Sequence, residues 1–459
     1  MCRKPHPAQP KAEPIQNIQI RPATMVAWNP ALTPLPQPGR LEYRYRARVL
    51  QPVAVGTKTL ADYTHICGRD LIDEIRELAE PLKGSRVVHV SATAFGGGVS
   101  EILYTLVPLM RDVGLECEWQ VIYGREEFFN ATKLMHNALQ GAPEDLDEEQ
   151  WETWRRYNEM NARELSSGWD VCLVHDPQPA ALQQLAPGKA KGWVWRCHID
   201  LSTPNPETIA HLLPYIEDYP QSLFHMREYV PPGMNGHVNI VPPAIDPLTP
   251  KNMALSPEDA AYVCGQFGID VDRPLMCQVS RFDPWKDPLG VIDAYRMVKE
   301  RMPAAQLALV GSMASDDPEG WDFFNATIAH ADGDPDIHIL NNFNNVGAIE
   351  VNAFQSHSDV LIQKSTREGF GLTVSEAIWK ARPFIGGNVG GIPLQVEDGV
   401  TGFLVSSTEQ CAERAYEILE DPALGKSLGK RGKEHVRANF LTPRYLRDYL
   451  RIFSELRES

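Results

Sequence analysis

Short apolar runs alternate with amphipathic stretches along most of the chain. The runs RVVHVSAT (86–93), CEWQVI (117–122), VCLVH (171–175) and WVWRC (193–197) are bounded by polar or glycine-rich residues, as buried strands of a parallel sheet are. Between such runs the apolar residues repeat every three or four positions, most clearly after the glycines of AFGGGVSE (94–101). This alternation predicts βα units and an α/β fold.

The alternation starts again after a proline-rich link near 245–255. The second series of strand-like runs comprises PLMCQVS (274–280), QLALV (306–310), IHIL (337–340), DVLIQ (359–363) and residues 383–385. Two such series in 459 residues predict two domains. We predict an irregular extension over 1–55, an N-terminal domain over 56–248, a C-terminal domain over 249–440 and a last helix over 441–459. Within the N-terminal domain, the segment from about 126 to 168 is predicted to be helical.

The composition limits the class of protein. Hydrophobic residues make up 43% of the chain, which excludes wholesale disorder. No apolar run reaches about 18 residues and the first residues lack the apolar core of a signal peptide, so we expect a cytoplasmic protein without a membrane partner. The eight cysteines include no C-x-x-C pair and are expected to be reduced core residues. The net charge of -16 argues against a nucleic-acid partner.

The segment TREGFGLTVSEAIWKARPFIGGNVGGIP (366–393) carries the clearest chemical signal. Glycines 369 and 371 follow a predicted strand and precede a helix that starts near Leu372, so backbone N–H groups there can receive an anion. A second glycine cluster, GGNVGG (386–391), follows the next strand, which predicts a ligand crevice at the carboxyl edge of the sheet. One alternative is purely structural: Thr373 and Glu376 have the spacing of a capping box.

Polar residues also follow strands elsewhere. His175 and Asp176 end one predicted strand, and Arg196, His198 and Asp200 end the next, so parallel pairing would bring them together. The loop at Gly97 and Gly98 lacks the G-x-G-x-x-G pattern of dinucleotide binding and predicts a backbone contact to a sugar or phosphate. Arg281 and Lys286 lie five apart in a loop after a strand, where charge-assisted hydrogen bonds could hold a pyrophosphate.

These residues together resemble a known family. SRFDPWKDP, Gly311 with Ser312, and EGFGLTVSEA resemble the retaining glycosyltransferases of family 4, and the resemblance covers roughly 85–457. The segments VVHVSATAFGGGVSEIL, LVHDPQP and WRCHIDLS are similar, more narrowly, to the trehalose-forming synthases of that family, which join nucleotide-activated glucose to free glucose. The resemblance implies a GT-B fold, in which two Rossmann-like domains with parallel sheets face each other across a cleft. It also implies that the last helix crosses back to the N-terminal domain.

The resemblance implies roles for individual residues. Arg281 and Lys286 would hold the donor diphosphate, Glu376 would bind the ribose, and Glu368 would bind the donor glucose hydroxyls. His198 would contact the donor glucose near the bond that breaks. The remaining donor-side residues are Gly311, Asn342, Gly369, Phe370, Gly371 and Leu372. The remaining sugar-site residues are Gly97, Gly98, His175, Asp176 and Asp200.

The implied reaction retains the configuration of the donor. It would proceed by front-face displacement, with the departing phosphate oxygen taking the proton of the acceptor. UDP-, ADP- or GDP-glucose would be the co-substrate, and neither a metal nor another cofactor is required. The D-x-D triplets do not directly follow apolar strands and are interpreted as turn residues; they start at Asp145, Asp270, Asp332 and Asp334.

Several alternatives stay open at this point. A trehalose phosphorylase with the same fold would use glucose 1-phosphate, and another family 4 enzyme, such as a sucrose-forming one, would use a different acceptor. A catalytically silent sugar-nucleotide-binding protein is the non-enzyme alternative. We expect small sugars and a sugar nucleotide as partners. A homodimer also stays open, although no residue-level argument supports one. The base of the donor and the direction of the reaction are not determined by these motifs.

Overall fold

The computed structural model describes residues 49–234, 236–313 and 318–458, which belong to one compact unit. Most of the predicted extension over 1–55 lies outside the described residues. Within the described part of the chain, no helix is long and apolar enough to cross a membrane.

The first sheet has seven strands in the order β1-β3-β2-β4-β5-β6-β7. Only β1 runs antiparallel to its neighbour, and every other pair is parallel. The strands are β1 (Gln51–Pro52), β2 (Arg86–Ser91), β3 (Glu116–Val121), β4 (Trp169–His175), β5 (Ala190–Arg196), β6 (Gln221–Phe224) and β7 (Val238–Ile240). All carboxyl ends of the parallel strands therefore lie along one edge.

The second sheet has six parallel strands in the order β10-β9-β8-β11-β12-β13. They are β8 (Leu275–Val279), β9 (Gln306–Val310), β10 (Ile337–Leu340), β11 (Val360–Gln363), β12 (Phe384–Gly387) and β13 (Phe403–Val405). The predicted limits at 248 and 440 lie between elements, before α8 and after α15. Each half thus has its own parallel sheet.

Sixteen α-helices are found among the described residues. Those of the first half are α1 (Thr64–Cys67), α2 (Arg69–Ala79), α3 (Gly98–Asp112), α4 (Glu126–Leu139), α5 (Glu148–Glu164), α6 (Leu182–Leu185) and α7 (Pro206–Ile216). Those that follow are α8 (Pro257–Gln266), α9 (Pro288–Arg301), α10 (Pro318–Ala331), α11 (Ala348–His357), α12 (Leu372–Trp379), α13 (Ile392–Gln395), α14 (Thr408–Glu420), α15 (Pro422–Asn439) and α16 (Thr442–Glu458).

The segment predicted to be helical from 126 to 168 contains two helices with a break between them. Gly141, two residues after the end of α4, adopts a φ of 90°, which favours glycine. The chain leaves the helical conformation at this point. Asp147 then starts α5 with a capping box, in which its side chain accepts from the N–H of Gln150. The prediction of one helical segment was therefore wrong at 140–147, because it followed apolar spacing and overlooked these two signals.

Each sheet is covered by helices on both faces. Val87 and Val88 illustrate the alternation: Val87 belongs to the core under α2, α3 and α16, whereas Val88 belongs to the core under α4 and α5. Helix α16 packs its apolar side on α2 and α3, although it follows the second sheet in the chain. The buried residues of this side include Tyr445, Leu446, Tyr449, Leu450 and Phe453.

The chain passes between the halves twice, and the two passages pair with each other. The N–H of Ile245 donates to the carbonyl of Phe440 at 2.8 Å, and the N–H of Thr442 donates to the carbonyl of Ile245 at 3.0 Å. Next to them, the Asp246 carboxylate accepts from four donors: Lys58 Nζ at 2.6 Å, Tyr63 Oη at 3.0 Å, Thr105 Oγ1 at 3.0 Å and Leu248 N at 2.9 Å. This buried carboxylate therefore ties the linker to the first half.

Replacing the Asp246 carboxylate tests this tie. Asp246→Asn removes the charge that three side-chain donors share and brings an amide N–H group against them. We expect a loss of about 3 kcal/mol of stability and a midpoint of thermal unfolding lowered by several degrees. Asp62→Asn, at an exposed position nearby, is the matched control and should leave the midpoint in place. An unchanged midpoint in Asp246→Asn would show that the charge of this carboxylate does not contribute to stability.

Candidate active site

The two glycine loops of the second half pack directly on each other. Gly371 has a φ of 76° and begins α12, and a Cβ atom there would meet the Glu368 side chain at 3.0 Å. A Cβ atom at Gly390 would lie 1.8 Å from the carbonyl oxygen of Glu368, and the N–H of Gly391 donates to the Gly369 carbonyl at 2.7 Å. The backbone around Glu368 can follow this path only because glycine occupies these positions.

The Glu368 carboxylate is paired with a lysine from another loop. Its Oε2 accepts from Lys286 Nζ at 2.7 Å and from Ser365 Oγ at 3.1 Å. The Lys286 and Glu368 side chains are 14% and 9% exposed, so the pair is largely shielded from bulk water. Lys286 ends a short 3₁₀ turn that Asp283 caps at the backbone N–H groups of Trp285 and Lys286. Two residues predicted from separate motifs thus meet in one site.

Arg281 extends from the same loop but stays accessible. Its side chain is 69% exposed and lies 3.2 Å from the Asp283 carboxylate. Burial lowers the pKa of His136 on α4 to about 4, and the positive charge of Arg281 adds to this effect. The guanidinium therefore faces the first half across the cleft.

Glu376 does not share the surroundings of Glu368. It is 2% exposed, and its Oε1 lies 3.3 Å from Lys251 Nζ, which also contacts Glu101 Oε1 at 2.9 Å. Burial raises the pKa of Glu376, whereas the charge of Lys251 lowers it. These three residues line a cavity of about 280 Å³ between the halves. The capping-box alternative is contradicted, because Gly371 is the N-cap of α12 and makes no side-chain cap.

Two further residues that were predicted for the donor side, Asn342 and Gly311, hold loops together. The Asn342 side chain accepts from the Met313 N–H at 2.7 Å and donates to the Met313 carbonyl at 3.1 Å. A Cβ atom at Gly311 would lie 2.6 Å from the Ser280 carbonyl. The Asn342 side chain and the Gly311 backbone therefore join the loops after β8, β9 and β10 rather than point freely into the cleft.

The polar strand ends of the first half face the Glu368 loop. The Tyr229 hydroxyl lies 3.0 Å from the Glu368 carbonyl oxygen and 2.8 Å from that of Gly369. The His198 carbonyl lies 3.8 Å from the position of a Cβ atom at Gly369, and a carboxylate oxygen of Asp200 lies 4.0 Å from Arg367 Nη2. The ring of Phe370 contacts that of His225, with 5.9 Å between centroids.

Gly97 and Gly98 lie at the start of α3, opposite the start of α12. Gly97 is the N-cap with a φ of 94°, and a Cβ atom at Gly98 would lie 2.8 Å from Leu372 Cδ1. The N-terminal ends of the two helices therefore face each other across the cleft. Both present backbone N–H groups that can bind an anion.

His175 lies behind His198, not on the surface of the cleft. It is 2% exposed, its Nδ1 lies 3.0 Å from His198 Nε2, and its Nε2 lies 2.9 Å from His89 Nδ1. The sequence analysis missed His89 and His225. A histidine within or after each of four strands was the available signal, but only the order of those strands in the sheet shows that they are neighbours.

The sequence analysis also missed a large cavity in the first half. Its volume is about 970 Å³, and it opens at the carboxyl ends of β2 and β3. Aromatic and polar side chains line it, among them Phe95, Tyr104, Tyr123, Lys133, His136 and Gln178. Aromatic rings with interspersed hydrogen-bonding groups are suited to a sugar. An aromatic residue next to three glycines, Phe95 in the AFGGG loop, was the available sequence signal.

Asp176 is strained and titrates unusually. It is in the left-handed region with a φ of 66°, and its Oδ1 accepts from the His198 N–H at 2.7 Å. Burial raises its pKa to about 7, although the His198 N–H and the charge of Arg196 both lower it. A neutral carboxyl is therefore stabilised beside His198.

The raised pKa of Asp176 predicts a pH-dependent stability. The unfolded chain releases the proton near pH 4, whereas the folded chain keeps it to about pH 7. The contribution is complete below pH 4 and is lost as the pH rises through about 7. Asp176→Asn cannot titrate, so its unfolding midpoint should rise relative to wild type from pH 5 to pH 8. Thermal unfolding across that range, with Asp62→Asn as matched control, measures this; a falling difference would contradict it.

Within the described residues, no group of three or more histidine, cysteine, aspartate or glutamate side chains is arranged to hold a metal ion. The seven cysteines of this part of the chain are all free.

Comparison with known proteins identifies the family. A family model described as "Trehalose synthase, N-terminal domain" matches residues 89–231, and one described as "Glycosyl transferases group 1" matches 265–435. The trehalose synthase of Rubrobacter xylanophilus is 57% identical over 414 residues, which cover 89% of this chain and 99% of that protein. The trehalose phosphorylase of Pleurotus pulmonarius is 27% identical over 82% of this chain, which spans 58% of that enzyme.

A solved structure shows the same fold. The sucrose-phosphate synthase of Thermosynechococcus elongatus superposes with a TM-score of 0.65 at 18% sequence identity, over 82% of this chain and 99% of that one. The GT-B fold implied by the sequence motifs is therefore confirmed. The chain belongs to the trehalose synthase family of glycosyltransferases.

Proposed function

We propose that this glycosyltransferase transfers glucose from a nucleotide-diphosphate glucose to free glucose and forms trehalose with retention of configuration. The Lys286–Glu368 pair carries the proposal, because it places a cation and a carboxylate side by side where the loops of both halves meet. The 57% identity to a trehalose synthase supports the choice of product.

Binding of the donor would rest on local positive charge. Lys286 and Arg281 lie in one loop, and the N–H groups at the start of α12 face the same cleft. A diphosphate in this position would receive charge-assisted hydrogen bonds. These would offset the repulsion between the anionic donor and a chain with a net charge of -16. Lys286 would then stabilise the charge that develops on the leaving phosphate.

Glu368 would hold the sugar and not attack it. Lys286 and Ser365 both donate to Oε2 of Glu368, and these charge-assisted hydrogen bonds stabilise the carboxylate anion, which makes it a poorer nucleophile. Its free oxygen can accept from a glucose hydroxyl. Burial lowers the pKa of His198 far below the usual range. His198 would therefore contact the sugar as a neutral imidazole and not as an imidazolium.

The chemical step follows from this positioning. The bond between C1 of the donor glucose and the diphosphate oxygen breaks, and the acceptor hydroxyl oxygen bonds to C1 on the same face. The proton of that hydroxyl passes to the departing phosphate oxygen, so no additional base or metal is needed. The aromatic cavity of 970 Å³ beside the AFGGG loop is suited to hold the acceptor glucose.

The proposal also explains why the two halves meet so closely. The Tyr229 hydroxyl of the first half contacts the backbone carbonyls of Glu368 and Gly369. Leu372 packs against Gly98. These contacts would exclude water from the donor, which limits its hydrolysis.

Product analysis tests the proposal. The pure protein is incubated with UDP-, ADP- or GDP-glucose, each with and without glucose, and the disaccharide is identified by NMR. We expect a non-reducing α,α-linked product only when both substrates are present. Lys286→Ala and Glu368→Gln should each reduce the rate roughly 100-fold or more. Lys426→Ala, an exposed lysine on α15, is the matched control and should keep full activity.

The alternative outcomes separate the rival functions. Disaccharide from glucose 1-phosphate and glucose, with release of phosphate, would favour a phosphorylase, which the 27% identity to such an enzyme makes the second candidate. Binding of a nucleotide sugar without any product would point to a silent binding protein. A reducing or β-linked product would contradict the proposed acceptor or the retention of configuration.

A further inference from the structure

Four histidines lie within or just beyond four adjacent strands. In the sheet order β2-β4-β5-β6, His89 pairs with Leu173, His175 pairs with Arg196, and Arg196 pairs with Leu223. From His89 to His175 and from His175 to His198, each step moves two residues toward the carboxyl edge. A step of two residues keeps the side chain on the same face of the sheet. The rings therefore run diagonally from the core to the cleft.

We use the term histidine row for His89, His175 and His198. Their rings stack with 5.2 and 5.3 Å between centroids, and their nitrogens are joined by contacts of 2.9 and 3.0 Å. His89 and His175 are 0% and 2% exposed, whereas His198 is partly exposed. Only the outer end of the row can therefore meet a ligand.

The inner end of the row contacts a thioether. His89 Nε2 lies 3.4 Å from Met110 Sδ on α3, and the Cys117 thiol donates to the same sulfur at 3.6 Å. A thioether sulfur accepts hydrogen bonds weakly and has no proton to donate. Met110 can therefore accept a hydrogen bond from His89 but cannot donate one to it.

The three rings are neutral. Burial lowers the pKa of His89 to about 3 and moves the pKa values of His175 and His198 well below the usual range. Each ring then carries one N–H, so two ring-to-ring hydrogen bonds leave only two arrangements. Either every ring donates from Nε2 toward the core, or every ring donates from Nδ1 toward the cleft.

Met110 distinguishes between the two arrangements. If the rings donated toward the cleft, His89 Nε2 would carry no proton, and its lone pair would face the lone pairs of the Met110 sulfur. If they donate toward the core, the His89 Nε2–H points to the sulfur and all contacts are satisfied. We propose that Met110 and His89 fix the tautomer of His198 through His175, so that His198 presents a bare Nδ1 to a hydroxyl of the bound sugar.

Met110, His89 and His175 are positioning residues in this proposal, since none of them reaches the cleft. The orientation of His198 is fixed independently, because its N–H is bound to Asp176 and its carbonyl lies against Gly369. The nitrogen opposite His175 would then be an acceptor of defined position. That His198 contacts a sugar rests on the proposed function; the tautomers of the row do not.

The tautomers can be observed directly. Long-range ¹H–¹⁵N correlation spectra of the full chain with ¹⁵N-labelled histidine distinguish Nε2–H from Nδ1–H rings, and His198→Asn identifies the His198 signals. At neutral pH we expect Nε2–H for His89, His175 and His198. A His198 ring protonated at Nδ1, or at both nitrogens, would overturn the proposal.

A variant at Met110 tests the cause. Met110→Leu removes the acceptor at similar volume and leaves the His89 Nε2–H without a partner, which favours the opposite arrangement. All three rings should then change tautomer together, and kcat/KM for disaccharide formation should fall at least tenfold. Met135→Leu, also fully buried but in the other core of the first half, is the matched control and should change neither spectrum nor rate.

The outcomes keep the two proposals apart. Unchanged tautomers in Met110→Leu, or rings that change one by one, would refute the role of Met110 and His89 even in an active enzyme. A lower rate with unchanged tautomers would assign the effect to packing and refute it as well. If the wild-type protein makes no disaccharide but the spectra change as expected, the proposed function fails and the control of the His198 tautomer stands.

Discussion

Close backbone packing between the two glycine loops determines the geometry of the site. The N–H of Gly391 binds the Gly369 carbonyl at 2.7 Å, and Gly390 has no room for a Cβ atom beside the Glu368 carbonyl. This packing positions Glu368 to meet Lys286 from the loop after β8. It also exposes the carbonyls that the Tyr229 hydroxyl reaches from the first half. The Lys286–Glu368 pair and the contact between the halves therefore depend on the same few backbone atoms.

Charge in the site is concentrated in few groups. The chain is acidic overall, with a formal net charge of -16, yet the proposed donor is an anion. Lys286 and Arg281 supply the local cations, and the helix starts at Gly98 and Leu372 add aligned N–H groups. The histidines add no charge, because burial lowers their pKa values. The cations nearest to the proposed diphosphate position are therefore Lys286 and Arg281, which lie in the loop after β8.

Local sequence pattern was sufficient for most strands and for the central motif. The run RVVHVS is apolar and bounded by polar residues, and the structure has β2 at Arg86–Ser91. The short strand Gln221–Phe224 was not predicted, because its four residues, QSLF, alternate weakly and are buried on both faces. The break at 140–147 was overlooked because helical spacing resumes after it. Pattern recognition thus fails where an element is too short to show its period.

Contacts between distant residues could not be predicted for a different reason. Glu376 meets Lys251 from the linker, and Asn342 binds the backbone of Met313; neither partner is near in sequence. The proximity of His89 to His175 depends on the position of β2 beside β4, which is a property of the sheet order. The sequence motifs identified the loops of the site, whereas the partners of each side chain required the fold.

A thioether at the inner end of the histidine row has an electrostatic consequence. A carboxylate in the place of Met110 would also accept from His89 Nε2, but its charge would raise the pKa values of the rings. A protonated His198 would donate from both nitrogens and could accept nothing from a sugar hydroxyl. The weak, uncharged Met110 sulfur orients the row and leaves it neutral. An apolar core that excludes water and ions would therefore let His198 serve as the acceptor that we propose.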